Sequence, residues 1–281
     1  MLAADHRWQL EEWCDSRGVA RARIPDAKAL ILDGFLAARQ RRPAVAERGA
    51  LLLDEQYASA EIRRAAAEGI VVATPAERAG AFPLEWAADP FDRVLTGSMV
   101  KVLVRHRPEY PRSRTNAEHA RLRALADWCT AHARPLLVEV VVMREQEDEA
   151  AFEAEGRPAI VAAYIRDAYA RGLAPDFWKM EGTVNPAAAA AIDAALVERD
   201  GPRFLVLGKG AGFELVEQWI GVAKQMSSAG GFAVGRTVYW SACADWLDGR
   251  LARDEAVSRV AANYERLVDA WERPAAATAP C

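Results

Sequence analysis

Short apolar runs rich in β-branched residues alternate along the chain with longer stretches of helical periodicity. The strand candidates are Leu2–Asp5, Ala50–Gln56, Ile70–Thr74, Met99–Arg105, Pro135–Val142, Asp176–Glu181, Phe204–Gly208 and Gly231–Val238. Helical periodicity is found, among other places, in Asp26–Arg42, Ser59–Glu68, Thr115–Ala133, Arg157–Arg171, Pro186–Arg199, Phe213–Ser228 and Arg253–Trp271. Eight strands that alternate with helices are typical of a closed parallel barrel, so the pattern predicts an α/β protein, a (β/α)8 TIM barrel.

The alternative is an open, doubly wound sheet. Continuous apolar strands such as Leu136-Leu137-Val138 fit either parallel arrangement. The first strand–helix turn lacks the GxGxxG pattern of the open fold, which favours the barrel. No linker rich in Pro, Gly or Ser divides the chain, so we predict one domain, residues 1–273, and a disordered tail, residues 274–281. The short first strand fits either a misplaced start codon or a weak seam in the barrel.

Charge and cysteine usage restrict the partners and the compartment. A formal net charge of -4 provides no basic field for nucleic acid or anionic lipid. No apolar run approaches the roughly 18 residues that span a bilayer, and the polar start Asp5-His6-Arg7 is unlike a signal peptide. The four cysteines lack CxxC spacing, which indicates free thiols in a reducing compartment. We predict a cytoplasmic protein that binds neither nucleic acid nor membrane.

The four histidines lack HExxH spacing or pairing with cysteine, so we expect no metal site and no cofactor. The cations are more informative. Of 36 lysine and arginine residues, only five are lysines: Lys28, Lys101, Lys179, Lys209 and Lys224. A coding bias explains the arginine-rich surface. Lysine, however, can lose its proton and act as an amine nucleophile, whereas the guanidinium of arginine stays charged.

Three ionisable residues lie on the inward face of neighbouring predicted strands. Side chains alternate along a strand, so Lys101 shares a face with Arg105, and Lys179 shares a face with Glu181. Glu139 lies on the strand between them. If these faces point into the barrel, Lys101, Glu139 and Lys179 converge at its catalytic end. A structural ion-pair network is the alternative, but buried charges are costly, and three on adjacent strands indicate an active site.

This trio fits the chemistry of a class I aldolase. A neutral lysine amine adds to a ketone, and the resulting iminium accepts electrons when the neighbouring carbon–carbon bond breaks. Burial and a second cation both lower the pKa of a lysine, and Lys101 would supply that cation beside Lys179. Glu139 would carry the proton from the β-hydroxyl and later return one to the enamine.

Two glycine-rich turns predict a phosphate site. The seventh strand ends in Gly208-Lys209-Gly210, and the eighth candidate strand contains Gly235-Arg236. The loops after strands seven and eight are the usual phosphate site of this barrel. A tight turn without function is the alternative for each loop taken alone.

Two further clusters follow the first and second strands. Asp5 and Arg7 come after the first strand, and Asp54 after the second. These residues either bind substrate hydroxyls or cap the helices that follow. With Arg105 and Glu181, they complete the predicted substrate-binding set.

These segments also resemble a known family. Asp5-His6-Arg7-Trp8, Leu53-Asp54-Glu55-Gln56-Tyr57, Lys101-Val102-Leu103-Val104-Arg105, Trp178-Lys179-Met180-Glu181-Gly182 and Gly231-Phe232-Ala233-Val234-Gly235-Arg236-Thr237 are similar, in order, to motifs of one domain. It is the aldolase-like domain fused behind the sugar kinase of myo-inositol catabolism, the 5-dehydro-2-deoxygluconokinase C-terminal domain family. A more distant resemblance is to tagatose 1,6-bisphosphate aldolase.

The resemblance implies a class I aldolase, a lyase, with Lys179 at the Schiff-base position. Lys101 and Glu139 match a lysine and a glutamate of the tagatose enzyme's site. The implied substrate is 2-deoxy-5-keto-D-gluconate 6-phosphate, cleaved to dihydroxyacetone phosphate and malonate semialdehyde. Its phosphate would bind at Gly210, Gly235 and Arg236, and its carboxylate at Arg7 or Arg105. We also expect a homo-oligomer.

The sequence departs from the family near the barrel mouth. Lys209 stands where the family usually has arginine, Arg105-His106-Arg107-Pro108 replaces Arg-Tyr-Asn-Pro, and Met143 replaces a proline. These differences bear on substrate identity. The alternatives are a sulfosugar aldolase or transaldolase, since a sulfonate resembles a phosphate, and a catalytically silent sugar-phosphate-binding subunit. A metal-dependent aldolase is disfavoured by the histidine placement.

Overall fold

The computed structural model describes residues 1–201 and 203–274, and its eight strands form one parallel sheet in chain order. The strands are β1 (Leu2–Ala4), β2 (Ala50–Leu53), β3 (Val71–Pro75), β4 (Met99–His106), β5 (Leu136–Val142), β6 (Phe177–Glu181), β7 (Arg203–Leu207) and β8 (Ala229–Ala233). Just past β8, Val234 accepts a hydrogen bond from the Ala3 amide at 3.0 Å and pairs with Leu2, which closes the barrel. The predicted (β/α)8 fold is confirmed.

Helices surround the barrel. They are α1 (Trp8–Arg17), α2 (Ile24–Arg41), α3 (Pro43–Arg48), α4 (Glu55–Ala67), α5 (Arg112–Ala131), α6 (Glu149–Ala151), α7 (Arg157–Ala170), α8 (Pro186–Leu196), α9 (Phe213–Ala223), α10 (Arg236–Leu247) and α11 (Arg253–Glu272). A π-helical turn, Phe152–Gly156, joins α6 to α7. Within the described ranges, no helix is long and apolar enough to cross a membrane.

Local sequence explains where several helices begin. The Asp54 carboxylate accepts a hydrogen bond from the Tyr57 amide at 2.9 Å and caps α4. The Asn185 side chain accepts one from Ala187 at 3.0 Å, and Pro186 occupies the first turn of α8. Capping side chains satisfy amides that have no partner inside the helix. α8 begins where the predicted helical stretch Pro186–Arg199 begins.

Two predicted strands, the second and the eighth, have boundaries that are wrong by more than one residue. The second strand ends at Leu53, because Asp54 turns the chain into α4. The eighth strand is Ala229–Ala233 rather than Gly231–Val238, and α10 begins at Arg236. Residues 275–281 of the predicted tail lie outside the described residues.

β3 is the strand that is not followed directly by an α-helix. The chain between β3 and β4 forms an irregular segment with a short 3-10 turn, Phe91–Val94. Glu77 and Trp86 form an antiparallel bridge within it. This segment, residues 76–98, therefore packs as a loop at the barrel mouth.

The barrel interior is divided into an apolar layer and a charged layer. The apolar layer packs Ala3, Leu52, Ala73, Met99, Leu137, Leu205 and Ala233 together, with Phe177 against them. Two residues further along, the inward positions of β4, β5 and β6 carry Lys101, Glu139 and Lys179. Alternation along parallel strands thus places these charges at the carboxyl end of the barrel, directly above its core.

Candidate active site

A cavity of about 460 Å³ opens at the carboxyl end of the barrel. Its walls include every residue predicted from the sequence to contact substrate except Asp54: Asp5, Arg7, Lys101, Arg105, Glu139, Lys179, Glu181, Gly208, Lys209, Gly210, Gly235 and Arg236. Three strands, β4, β5 and β6, and the chain segments after β1, β7 and β8 contribute them. The fold therefore collects residues that are far apart in the sequence into one concave surface.

Glu139 bridges two buried lysines at the floor of this cavity. Its Oε1 lies 2.9 Å from Lys179 Nζ, and its Oε2 lies 3.0 Å from Lys101 Nζ. Glu139 and Lys179 are register partners on β5 and β6. Strand pairing thus places Glu139 beside Lys179, and one carboxylate is shared by two amines.

The three buried lysines differ in how many partners their ammonium groups have. Lys101 contacts three carboxylates: Glu77 at 2.7 Å, Asp5 at 2.9 Å and Glu139 at 3.0 Å. Lys28 also has three partners, the carbonyls of Ala4 and His6 and the carboxylate of Asp54. Lys179 has only Glu139 as a partner within residues 1–201 and 203–274. An ammonium has three N–H donors, so Lys179 alone among the three has capacity left for a ligand.

The electrostatics keep the carboxylates beside the lysines ionised. Burial raises the pKa of Glu139, but Lys101 and Lys179 outweigh it and hold that pKa below its usual value. Burial also raises the pKa of Asp5, yet Lys101 and Lys179 hold that pKa well below the ordinary range. Burial lowers the pKa of Lys101, but Asp5, Glu139 and Glu77 raise it well above normal. Lys101 is therefore a fixed cation and a poor nucleophile.

Among the cavity residues to which the sequence analysis gave no role are Glu77 and His6. Glu77 is buried and bonds Lys101, but it lies in the irregular segment after β3, where no periodicity predicts its direction. His6 lines the cavity, and its Nδ1 lies 2.8 Å from the Tyr239 hydroxyl. Burial lowers the pKa of His6 to about 3, so its ring is neutral at physiological pH. An acidic residue just past a strand end was the available signal for Glu77.

The loops after β7 and β8 meet at one side of the cavity. Arg236 donates from Nη2 to the Lys209 carbonyl at 2.9 Å, and its buried Nε has no hydrogen-bond partner in the described chain. α10 begins at Arg236, and the positive end of a helix dipole attracts anions. Gly210 has a φ of 80°, a left-handed conformation that glycine adopts without strain.

Lys209 and Glu181 belong to a second ion-pair network beside this loop. Lys209 Nζ lies 2.8 Å from Glu181 and 3.2 Å from Glu153. Glu181 is buried and also faces Arg157 at 3.4 Å. The charge of Lys209 is thus already balanced, whereas Arg236 has no carboxylate partner within the described residues. Of the two, Arg236 therefore keeps more of its charge uncompensated.

Two arginines lie across the cavity from this loop. Arg105 stacks on Phe82, with its guanidinium carbon 3.7 Å from the ring centre, and pairs with no carboxylate in the described chain. Arg7 is buried, donates to the Glu77 carbonyl at 3.2 Å and lies 3.8 Å from the Glu77 carboxylate. Because β4 and β8 are four strands apart in an eight-stranded barrel, Arg105 and Arg236 lie on opposite walls.

Asp54 is not brought to the cavity. Its side chain is fully buried, pairs with Lys28 at 2.7 Å and caps α4. The expectation that it binds substrate is not supported by this position, and its role as a helix cap, the other sequence interpretation, is supported. No group of three or more His, Cys, Asp or Glu that could hold a metal ion is found in the described parts of the chain.

The chain belongs to the family described as "Uncharacterized protein conserved in bacteria (DUF2090)", whose profile matches residues 1–275. No curated protein matches it. Its structure is similar to that of a fructose-bisphosphate aldolase from Plasmodium falciparum, with a TM-score of 0.68 and 12% identity, over 96% of this chain and 89% of that chain.

A protein from Corynebacterium glutamicum has a TM-score of 0.56 and 18% identity, over 95% of this chain and 84% of its own. A fructose-bisphosphate aldolase from Slackia heliotrinireducens has a TM-score of 0.54 and 14% identity, over 92% of this chain and 79% of its own. At such identities the similarity establishes the barrel fold.

Proposed function

We propose that the protein is a class I aldolase that forms a Schiff base through Lys179. One observation carries the proposal: Glu139 bridges Lys179 and Lys101 at 2.9 Å and 3.0 Å, at the floor of a cavity at the carboxyl end of the barrel. Of the two lysines at the cavity floor, Lys101 is saturated by carboxylates, whereas Lys179 keeps donor capacity toward a ligand. The fold that this chain shares with two fructose-bisphosphate aldolases gives further support.

The geometry suits proton transfer at each step. Lys179 must lose a proton before its amine attacks a ketone, and Glu139 Oε1 is within hydrogen-bond distance to accept it. Attack gives a carbinolamine, whose hydroxyl takes the proton back from Glu139 and leaves as water; this yields the iminium and restores the Glu139 carboxylate. Glu139 then takes the proton of the β-hydroxyl while the carbon–carbon bond breaks, and the bonding pair moves into the iminium to form an enamine. Return of a proton and hydrolysis free the ketone product and Lys179.

The substrate that fits best is an open-chain keto sugar with an anion at each end. Arg236 and Arg105 lie on opposite walls, and neither is paired with a carboxylate in the described chain, so each can receive one anionic group. Within this class we propose 2-deoxy-5-keto-D-gluconate 6-phosphate. The iminium forms at C5 and the C3–C4 bond breaks, which yields malonate semialdehyde and dihydroxyacetone phosphate. The phosphate would lie by Arg236 and the carboxylate by Arg105.

Reductive trapping tests the proposal. The protein is incubated with dihydroxyacetone phosphate and sodium borohydride, digested and mapped by mass spectrometry. We expect one stable adduct, on the peptide that carries Lys179, and its loss in Lys179→Arg, because the guanidinium forms no Schiff base. A protein that only binds sugar phosphates gains no adduct, and an adduct on Lys101 would overturn the assignment of the nucleophile.

The matched control is Lys224→Arg. Lys224 is remote from the cavity and donates to the Ala270 carbonyl at 3.3 Å on the outer layer of helices. This variant should be labelled as fast as the unmodified protein. Release of dihydroxyacetone phosphate from a panel of keto-sugar phosphates and sulfonates then identifies the substrate and separates the proposed acid from a sulfosugar.

A further inference from the structure

Glu77 occupies a fixed place at the edge of the cavity. It lies two residues beyond β3, where the Ala76 amide donates to the Lys101 carbonyl at 2.9 Å. The Ala87 amide donates to the Ala76 carbonyl at 2.9 Å, and the Arg78 amide to the Glu85 carbonyl at 2.8 Å. The backbone on both sides of Glu77 is thus held by hydrogen bonds, which fix the position of its Cα atom.

The Glu77 side chain is directed at Lys101. Its Oε1 lies 2.7 Å from Lys101 Nζ, the shortest of the three contacts of that ammonium. Its Oε2 is buried without a hydrogen-bond partner in the described residues, and the side chain of Glu77 is only 5% exposed. The one strong contact of this carboxylate is therefore with Lys101.

This contact determines how Lys101 meets Glu139. Lys101 has three N–H donors and three carboxylate partners. These are Asp5, directly after β1, Glu139 on β5, and Glu77 in the segment after β3. Without Glu77, one donor would be free, and the ammonium could turn toward Asp5 or a ligand. Glu139 Oε2 would then lose its fixed partner, and the other oxygen would lose its alignment with Lys179.

Glu77 is poorly explained as a stabilising residue. Burial raises its pKa, and Lys101 and Arg7 offset this only in part, whereas the pKa values of Asp5 and Glu139 are lowered. An ion pair that served stability alone would have both carboxylate oxygens satisfied, since an unpartnered buried oxygen costs free energy. Functional sites are where such costs are retained.

We propose that Glu77 is a positioning residue: its carboxylate fixes the ammonium of Lys101 and, through it, the orientation of Glu139 toward Lys179. This inference rests on the proposed Schiff-base function. It assigns a role to a residue of the irregular segment 76–98, outside the strands that carry the lysines.

The test compares Glu77→Gln with Glu85→Gln. Both replace a carboxylate by an amide on the same segment, but Glu85 is exposed and pairs with Arg78 away from Lys101. Borohydride labelling by dihydroxyacetone phosphate is measured as a rate over a range of concentrations and pH. We expect the saturated rate of Glu77→Gln to fall about 10–100-fold at pH 7, with half-saturation changed less than about 3-fold, because alignment and not binding is lost. Glu85→Gln should match the unmodified protein.

The pH dependence separates positioning from a structural role. Glu77 holds Lys101 as a carboxylate, so protonation at low pH makes the unmodified protein behave like the amide variant. The ratio of their saturated rates should therefore shrink as pH falls through the raised pKa of Glu77. Equal saturated rates, or a ratio that is constant with pH, would overturn the role of Glu77. Absence of any Lys179 adduct in the unmodified protein would instead overturn the proposed aldolase function.

Discussion

The barrel contains two buried lysine–carboxylate clusters that differ in access. In the first, Lys28 and Asp54 are both fully buried, lie 2.7 Å apart and line no part of the active-site cavity. In the second, Lys101, Glu139 and Lys179 form the cavity floor. The first cluster ties α2 to the ends of β1 and β2, and the second leaves one ammonium open to a ligand.

The comparison shows that burial of charge does not by itself identify an active site. Both clusters cost desolvation free energy, and both satisfy most of their donors. What differs is that every N–H of Lys28 has a protein partner, whereas Lys179 has one partner within the described chain. Unused donor capacity facing a cavity therefore separates Lys179 from the fully paired Lys28.

The largest expected effect is on catalysis, from a substitution in the second cluster, that of Lys101, Glu139 and Lys179. Glu139→Gln keeps the shape of the side chain but cannot accept a proton, so kcat should fall about 100- to 10,000-fold. Since the pKa of Glu139 is lowered, the unmodified enzyme should not lose activity through this group until pH falls below the usual range of a glutamate. Steady-state kinetics of the identified substrate against pH checks both points. Activity of the variant within 10-fold of the unmodified enzyme would remove Glu139 from the proposed mechanism.

A substitution in the first cluster, that of Lys28 and Asp54, should instead lower the stability of the protein. Lys28→Met leaves Asp54 buried without its ionic partner, which should lower the free energy of unfolding by about 3–5 kcal/mol. Urea denaturation of the variant measures this loss. The fraction that remains folded should still be labelled at Lys179 by dihydroxyacetone phosphate and borohydride. If stability were unchanged and labelling abolished, Lys28 rather than Lys101 would be the lysine coupled to the reaction.

A smaller effect should distinguish Lys209, in the loop after β7, from Arg236, after β8. Arg236→Met should weaken the binding of inorganic phosphate about 10-fold or more, because a charge-assisted hydrogen bond is lost. Lys209→Met should weaken it less, since Glu181 and Glu153 already balance that ammonium. Titration calorimetry with phosphate gives both affinities. A larger loss in Lys209→Met would mean that the ligand breaks the Lys209 ion pairs and binds there.

The sequence allowed most of the fold to be predicted, because strands buried on both faces are continuous apolar runs. The predicted start of β8 was too late, because the glycines near its beginning supply no apolar side chains. The predicted end was also too late, because the apolar run Phe232-Ala233-Val234 continues past the last residue of the strand. The bounds of α1 were not predicted from the sequence. This helix buries only Leu10 and Cys14, so its sequence has little apolar periodicity.

The inward face of the strands was predictable because side chains alternate with period two. This alternation predicted that Lys101, Glu139 and Lys179 lie close together inside the barrel. The same rule fails beyond a strand end. Asp54 continues the face of Leu52, but the chain turns into α4 and carries the carboxylate to Lys28. Glu77 lies in a segment without regular structure, where contacts with Lys101 and not periodicity decide its direction.

Gly235 couples the two ends of the barrel sheet. A Cβ at this position would lie 2.0 Å from the Ala3 carbonyl oxygen and 2.9 Å from the His6 ring, so any larger residue would push the first strand away. Asp5 stands between those two contacts and beside Lys101. On the proposed function, a substitution at Gly235 meant to change the anion bound there would also displace the carboxylate beside Lys101, so ligand preference and turnover could not be adjusted independently at this position.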